Sequence, residues 1–176
     1  YLPEMRDRKI AIERLFDIEL EFTFSTSEQA WAALVLALDI QDIPKFFKKW
    51  KTSREFAKTV EQIVEILKLR EKGSLDKRAC YKYDKRLLLV AEELREAYGL
   101  SVDYLAIERV CDSLTIHDKH EVVVNGGMLI KEYGFQPGPA LGEVLTKIEY
   151  AIVDGELANE KEAIIAYIQQ VKEEEK

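Results

Sequence analysis

Two short glycine-containing segments precede predicted helices in the last third of the chain. One is Asn125-Gly126-Gly127, the Gly-Gly entrance, and the other is Pro137-Gly138-Pro139, the Pro-Gly-Pro entrance. The first turn of a helix leaves backbone N–H groups unpaired and carries a partial positive charge, so phosphates bind there readily. Glycine at position 138 lets a sugar-phosphate backbone approach without a Cβ clash, and Pro139 presets the helical φ. Both entrances are therefore candidate contacts for phosphate or ribose groups.

A structural explanation of the same glycines stays open. Gly134 and Gly142 flank the Pro-Gly-Pro entrance, and glycines at such positions allow two helices to pack closely. On that interpretation the Pro-Gly-Pro entrance merely turns the chain between two helices.

Basic residues form a second candidate binding surface around the turn between two predicted helices. Its members are Lys45, Lys48, Lys49, Lys51 and Arg54. The first three share one helix face at spacings i, i+3 and i+4. Trp50 is expected to face the core with Phe46 and Phe47, although it could instead stack on a nucleotide. Basic residues between 68 and 86, including Arg70 and Arg78, extend the positive zone. The competing interpretation is an ordinary solvated helix face.

The charge distribution supports a local basic surface on an acidic protein. The 176-residue chain has a net charge of −7, whereas residues 41–90 carry 14 basic and 7 acidic side chains. Because the screening length at physiological salt is about 8 Å, the local charge matters more than the total. The acidic total therefore does not exclude a nucleic-acid partner.

Catalytic or metal-binding groups are sparse. His117 and His120 have Asp118 between them, but zinc needs further soft ligands, so we predict a solvated segment and no metal site. Cys80 and Cys111 are isolated in the sequence and are expected to be reduced thiols of a cytoplasmic protein. We identify no catalytic residue and expect no cofactor.

Helical periodicity dominates the elements that must position these residues. The apolar stripe Phe56, Val60, Ile63, Val64 and Leu67 is typical of an amphipathic helix, and similar patterns recur to the end of the chain. We predict an all-α protein with a helical body domain at 1–113 and a smaller helical tail domain at 114–176. The longest apolar run, 30–38, is far too short to span a membrane.

Capping residues mark where several of these helices begin. Pro44 fits a first-turn position, and Thr52 or Ser53 is predicted as an N-cap. Asn125 and Asn159 are predicted to cap the helices that follow them.

Five segments of the chain follow a known pattern. They are Asn125-Gly-Gly-Met-Leu-Ile130, Gly134-Phe-Gln-Pro-Gly-Pro-Ala-Leu-Gly-Glu-Val-Leu145, Ile148-Glu-Tyr-Ala-Ile-Val-Asp-Gly-Glu-Leu-Ala-Asn-Glu160, Phe24-Ser-Thr-Ser-Glu-Gln-Ala-Trp31 and Phe46-x-x-x-Trp50-Lys51. With these segments the chain resembles the C-terminal part of the bacterial CCA-adding tRNA nucleotidyltransferases, in the polymerase β-like superfamily that also holds the bacterial poly(A) polymerases. The resemblance is specific across about 122–168 and looser over 1–113, where it involves the family's body domain.

The motifs of that family's catalytic part are missing. The head domain needs an Asp-x-Asp pair to hold two Mg²⁺ ions, and the neck needs a Glu-Asp-x-x-Arg element to select nucleotides. This sequence contains neither an Asp-x-Asp nor a Glu-Asp, and it begins at Tyr1. The resemblance therefore implies a body-plus-tail fragment without catalytic activity. It also implies that the parent enzyme uses Mg²⁺, with CTP and ATP as substrates.

The function implied by the resemblance is binding of tRNA irrespective of sequence. The body and tail would hold the elbow and the acceptor–T stack, while the head and neck of the same polypeptide add CCA to the 3′ end. We expect a cytoplasmic location and no membrane partner. Two alternatives stay open: a helical protein–protein interaction module, and the equivalent region of a poly(A) polymerase.

Overall fold

A computed structural model describes the backbone of residues 22–174 and the side chains of residues 22–171. The described part is helical and contains no strand, which confirms the predicted all-α class. One short 3₁₀ helix, Lys119–Glu121, lies between α6 and α7. In chain order the α-helices are α1 Ser27–Ala37, α2 Ile43–Lys49, α3 Arg54–Lys72, α4 Lys77–Lys82, α5 Lys85–Ala97, α6 Tyr104–Asp112, α7 Gly126–Tyr133, α8 Pro139–Asp154 and α9 Lys161–Glu174.

The described chain forms two compact units that do not follow chain order. The first unit runs as far as Leu75 and resumes over Tyr83–Glu108. The second unit combines Asp76–Lys82, which contains α4, with the chain from Arg109 onwards. This grouping describes packing, and the division into functional domains at 113/114 stays a prediction.

The first unit is built around α3, which packs against α1, α2 and α5. The predicted apolar stripe of α3 supplies the core, since Val60, Ile63, Val64 and Leu67 are buried. Burying such a side chain contributes about 1.5–3 kcal/mol to the free energy of unfolding. This packing fixes which face of α3 is left for solvent.

A buried ion pair joins α3 to α5. The Glu92 side chain is almost inaccessible, and its Oε1 lies 3.1 Å from Nη2 of Arg70. The same carboxylate accepts a hydrogen bond of 2.9 Å from the backbone N–H of Asp103. The second carboxylate oxygen, Oε2, accepts a hydrogen bond of 3.2 Å from Nε of Arg70, so each oxygen has a partner, as a buried charge requires.

In the second unit α8 packs against α4, α7 and α9. The α4–α8 contact includes the ion pair between Arg78 and Asp154 and a hydrogen bond donated by the Tyr81 hydroxyl to Glu149. Ile148 and Ile152 of α8 are fully buried. Thus α4, which is too short to be stable alone, is held by the helix that also carries the Pro-Gly-Pro entrance.

Several predicted caps are confirmed and one is wrong. The Ser53 and Asn125 side chains accept hydrogen bonds from Phe56 N–H and Met128 N–H, at 3.1 and 3.0 Å. Asn159 does not cap α9, which begins at Lys161. Its side chain instead accepts from Val123 N–H at 3.0 Å and donates to the Glu121 carbonyl at 2.8 Å.

Candidate nucleic-acid interface

A cationic groove lies where α2 turns into α3. The α2–α3 groove has a volume of about 480 Å³. Four basic side chains and one acidic side chain line it: Lys48, Lys51, Arg54, Lys58 and Glu61. All four cations are exposed, and within residues 22–174 none of them forms an ion pair. The groove therefore presents a net charge of about +3 to solvent.

The local sequence explains why these cations converge. The Asp42 side chain accepts a hydrogen bond of 2.9 Å from Lys45 N–H and starts α2, and α2 ends at Lys49 after seven residues. Lys51 then adopts a left-handed backbone conformation with φ 53°, which is uncommon for a non-glycine residue. Lys51 lies in the short turn between the helices, and Ser53 caps α3 within four residues of the end of α2. The positively polarised start of α3 consequently forms one wall of the groove.

The structure brings together three of the five predicted basic residues. Lys48, Lys51 and Arg54 line the groove, whereas Lys45 and Lys49 are exposed but lie outside its lining. Lys58 completes the set and was not predicted. Its signal was available in the sequence, because Lys58 follows Arg54 by four residues and so lies on the same helix face.

The predicted extension of the positive zone is wrong at two residues. Arg70 is largely buried and pairs with Glu92, and Arg78 pairs with Asp154. Because a carboxylate neutralises each guanidinium, neither adds free charge to the groove. The positive zone thus has two fewer free charges than the sequence predicted.

The aromatic residues of α2 divide between the core and the surface. Phe46 and Phe47 are buried, as predicted. Trp50 is 42% exposed, and its ring centroid lies 6.4 Å from that of Phe46. The expectation that Trp50 faces the core is therefore wrong, because Trp50 is the C-cap of α2 and lies beyond its buried face.

The Gly-Gly entrance starts α7 and is partly packed against α8. A Cβ at Gly126 would lie 3.4 Å from Cδ1 of Leu145 and 3.6 Å from Cδ2 of Leu141, and a Cβ at Gly127 would lie 3.2 Å from Oδ1 of Asn125. A Cβ would therefore be tight at Gly127, whereas at Gly126 it would make only ordinary van der Waals contact with α8. The Asn125 side chain accepts from Met128 N–H, so in the described chain the amides of Gly126 and Gly127 are the first-turn donors left over.

The Pro-Gly-Pro entrance starts α8 without a capping side chain. Pro137, Gly138 and Pro139 are all exposed. The N–H groups of Leu141 and Gly142 donate to the Gly138 carbonyl, which leaves the amide of Ala140 as the free first-turn donor among the described residues. This entrance therefore offers one free amide, and its helix dipole is unopposed by any acidic residue in the first turn.

The described structure does not require glycine at position 138. No described heavy atom lies within 4 Å of a Cβ placed there, and its φ of 160° is extended backbone. The packing explanation also fails at Gly134 and Gly142, because a Cβ at either position would meet no described atom within 4 Å. Gly134 is explained instead by its left-handed φ of 69° at the end of α7.

The cysteines and histidines do not form a reactive centre. Cys80 and Cys111 are buried free thiols, and burial, aided by Cys111, raises the pKa of Cys80 to about 12. Such a thiol remains protonated at neutral pH and is a poor nucleophile. His117 and His120 are exposed, each 3.9 Å from a carboxylate, of Glu121 and Asp118 respectively. The described residues contain no group of three potential metal ligands, and none of their helices is long and apolar enough to cross a membrane.

Comparison with known proteins gives a consistent result over almost the whole chain. The family described as "tRNA nucleotidyltransferase domain 2 putative" matches residues 22–168. The CCA-adding enzyme of Streptococcus sanguinis (strain SK36) is 58% identical over 172 residues, which are 98% of this chain and 43% of that enzyme. The CCA-adding enzyme of Streptococcus suis (strain 05ZYH33) is 46% identical over 176 residues, 99% of this chain and 44% of that enzyme.

A solved structure shares the fold. The crystal structure of the Bacillus stearothermophilus CCA-adding enzyme in complex with CTP superposes with a TM-score of 0.88 at 26% identity, covering 99% of this chain and 45% of that one. The chain therefore spans somewhat under half the length of the relatives that it matches.

Proposed function

Because this chain belongs to the tRNA nucleotidyltransferase domain 2 family, we propose that it is the tRNA-binding C-terminal part of a cytoplasmic CCA-adding enzyme. It holds the elbow and the acceptor–T stack of tRNA without reading its sequence. The head and neck of the same polypeptide add C, C and A to the 3′ end with Mg²⁺, CTP and ATP. The single observation that carries the proposal is the α2–α3 groove, with its four exposed cations that form no ion pair in the described part of the chain.

The chemistry of the groove suits the backbone of an RNA helix. Double-helical RNA is recognised mainly through its shape, its 2′-hydroxyls and its phosphates. Four flexible cations beside the start of a 19-residue helix attract phosphates without selecting a base. An enzyme that processes every tRNA requires this type of contact.

The Pro-Gly-Pro entrance supports a second backbone contact. Gly138 is exposed and has open space where a Cβ would lie, so the fold itself would accept alanine there. An absent side chain at an exposed helix start leaves room for a ribose-phosphate backbone to approach Ala140 N–H and the dipole of α8. We propose a similar contact for the Gly-Gly entrance, where the amides of Gly126 and Gly127 are the donors left over in the described chain.

Direct binding tests the proposal. A fluorescently labelled tRNA transcript, titrated with the 176-residue chain at low and at moderate salt, is expected to bind with an affinity that falls steeply as salt rises. A protein–protein interaction module would bind tRNA at neither salt concentration, and that result would refute the proposal.

The variant Gly138→Asp separates the entrance from the groove. Aspartate is a better N-cap than glycine, so the free energy of unfolding is expected to stay constant or rise by a few tenths of a kcal/mol. The affinity for tRNA is expected to fall, because the added carboxylate lies where a phosphate would bind. Gln169→Glu adds the same charge on the exposed face of α9 and is the matched control. Equal affinities of the two variants would remove the Pro-Gly-Pro entrance from the interface.

A further inference from the structure

The second unit contains a small pocket that the proposed phosphate contacts do not use. It lies beside α4, α8 and α9 and has a volume of about 230 Å³. Its lining includes two basic, two acidic and two aromatic side chains: Arg78, Lys147, Asp154, Glu156, Tyr150 and Tyr167. We call it the Arg78 pocket. Its formal charge is zero, in contrast to the α2–α3 groove.

Arg78 is fixed in this pocket from two directions. Its Nε lies 3.1 and 3.0 Å from the two Asp154 carboxylate oxygens, and its Nη2 lies 2.6 Å from Oδ2. Its Cζ lies 5.1 Å from the ring centroid of Tyr150, a cation–π contact. The Tyr150 ring is itself supported by Tyr81, whose ring centroid is 6.4 Å away at an interplanar angle of 77°.

This arrangement leaves part of the planar guanidinium of Arg78 exposed. The carboxylate of Asp154 occupies one edge of the guanidinium, and Tyr150 lies on one side of it. The Arg78 side chain is nevertheless 57% exposed, so part of its planar group faces solvent. A guanidinium held by a carboxylate and an aromatic ring has little rotamer freedom left to lose when another planar group stacks on it.

The charge of the pocket selects against phosphate and in favour of a base. Asp154 and Glu156 would repel a phosphate, whereas their oxygens can accept hydrogen bonds from the amino groups or ring N–H groups of a base. Proteins that bind RNA commonly stack unpaired bases on aromatic rings or on arginine planes. The pocket volume equals that of about eight water molecules, which is in the size range of one heteroaromatic base.

We infer that the Arg78 pocket receives one unpaired base of the bound RNA, stacked on the guanidinium of Arg78. The inference rests on the proposed function, because it concerns the same RNA. It gives the second unit a preference for RNA that displays an unstacked base, beyond its contacts with the helical backbone.

The test compares two RNAs that differ in one base. One is a perfect RNA duplex, and the other is the same duplex with a single bulged 2-aminopurine. The chain is expected to bind the bulged RNA about 5- to 150-fold more tightly, the range that one stacked base contributes. The 2-aminopurine fluorescence is expected to be quenched on binding.

The variant Arg78→Lys tests whether Arg78 is responsible for the preference for the bulged RNA. Lysine keeps the positive charge but lacks a plane for stacking, so the preference for the bulged RNA is expected to disappear. The duplex affinity and its salt dependence are expected to be unchanged, since a stacked base releases no counterions. Arg109→Lys, at an exposed position of α6 in the same unit, is the matched control and is expected to keep the preference.

The inference and the proposed function fail in different ways. Equal binding of the two RNAs by the unmodified chain, or unquenched 2-aminopurine at saturation, would overturn the inference while leaving the proposed function intact. So would an Arg78→Lys variant that keeps the full preference. Absence of binding to either RNA at low salt would overturn both.

Discussion

Neutralising two lysines of the α2–α3 groove is expected to flatten the salt dependence of tRNA binding by a calculable amount. Lys48 and Lys51 both line the groove and are both exposed. Each lysine that meets a phosphate of an RNA helix contributes about 0.9 to the slope of log K against log salt, by analogy with duplex DNA. The double variant Lys48→Gln/Lys51→Gln should therefore lower the magnitude of the slope by about 1.8.

The same relation fixes the loss of affinity at each salt concentration. A slope change of about 1.8 corresponds to an affinity loss of about 60-fold at 0.1 M salt and about 18-fold at 0.2 M, with the two lines converging towards 1 M. Because both side chains are exposed, the free energy of unfolding should change by less than about 0.5 kcal/mol. Fluorescence anisotropy of a labelled tRNA at five or six salt concentrations measures both quantities.

A matched control lies at the other end of the same helix. Lys68 and Lys72 are exposed, and Lys68 is 14 residues from Arg54, about 21 Å along α3. That separation exceeds two screening lengths at physiological salt. Lys68→Gln/Lys72→Gln changes the net charge equally and should leave the slope unaltered. Equal slopes for the groove variant and the unmodified chain would refute the assignment of these lysines to phosphates. Equal effects of the groove and control variants would show that only total charge matters.

Three further predictions concern stability. Gly142→Ala should raise the free energy of unfolding by about 0.5–1 kcal/mol, because alanine suits a helix interior better and no described atom lies within 4 Å of the new Cβ; a loss on urea denaturation would restore the packing explanation of that glycine. Glu92→Ala should cost about 3–5 kcal/mol in the same measurement, since it leaves Arg70 largely buried without its carboxylate; a cost below about 1 kcal/mol would contradict the assigned pairing. The hydrogen bond from Arg78 lowers the pKa of Asp154 below its usual value of 3.8, so this carboxylate stabilises the fold above that pH and the contribution is lost as pH falls through the lowered pKa. The difference in unfolding free energy between the unmodified chain and Asp154→Asn should accordingly be constant above about pH 5 and shrink as the pH falls through the lowered pKa, and a pH-independent difference would argue against the ion pair.

Local signals in the sequence predicted most of the helices and several of their starts. Ser53 and Asn125 each bond to an N–H three residues later, within the same turn, so neighbouring residues suffice to identify the cap. The all-α class followed from stripes such as that of α3, whose spacing depends on the helix alone.

Features that depend on distant contacts could not be predicted in this way. Helix α4 has six residues, too few for a periodic pattern, and it is tied to α8 by a bond between residues 76 positions apart. Asn159 carried a valid local capping signal, but it bonds to a segment 36 to 38 residues earlier. Arg70 and Arg78 counted as free charge in the sequence because the acidic residues that neutralise them lie elsewhere in the chain.

The same long-range bonds explain why the extent of the candidate site was predicted wrongly from the sequence. Lys48, Lys51 and Arg54 were identifiable because they are close in sequence, and Lys58 belonged with them by helical spacing. The Arg78 pocket was not identifiable, since its lining comes from α4, α8 and the residues beyond α8. A site assembled from separate segments leaves no contiguous motif.

The chain enters the second unit with α4, returns to the first unit for α5, and comes back only after Glu108. A fragment of residues 109–176 would therefore not contain the complete second unit, because it would lack α4, which packs against α8. Recombination between related genes should be tolerated only where α4 and the chain from Arg109 onwards come from the same parent. During synthesis on the ribosome α4 is likewise made before α8, which begins at Pro139. Until then α4 lacks the helix against which it packs in the folded protein.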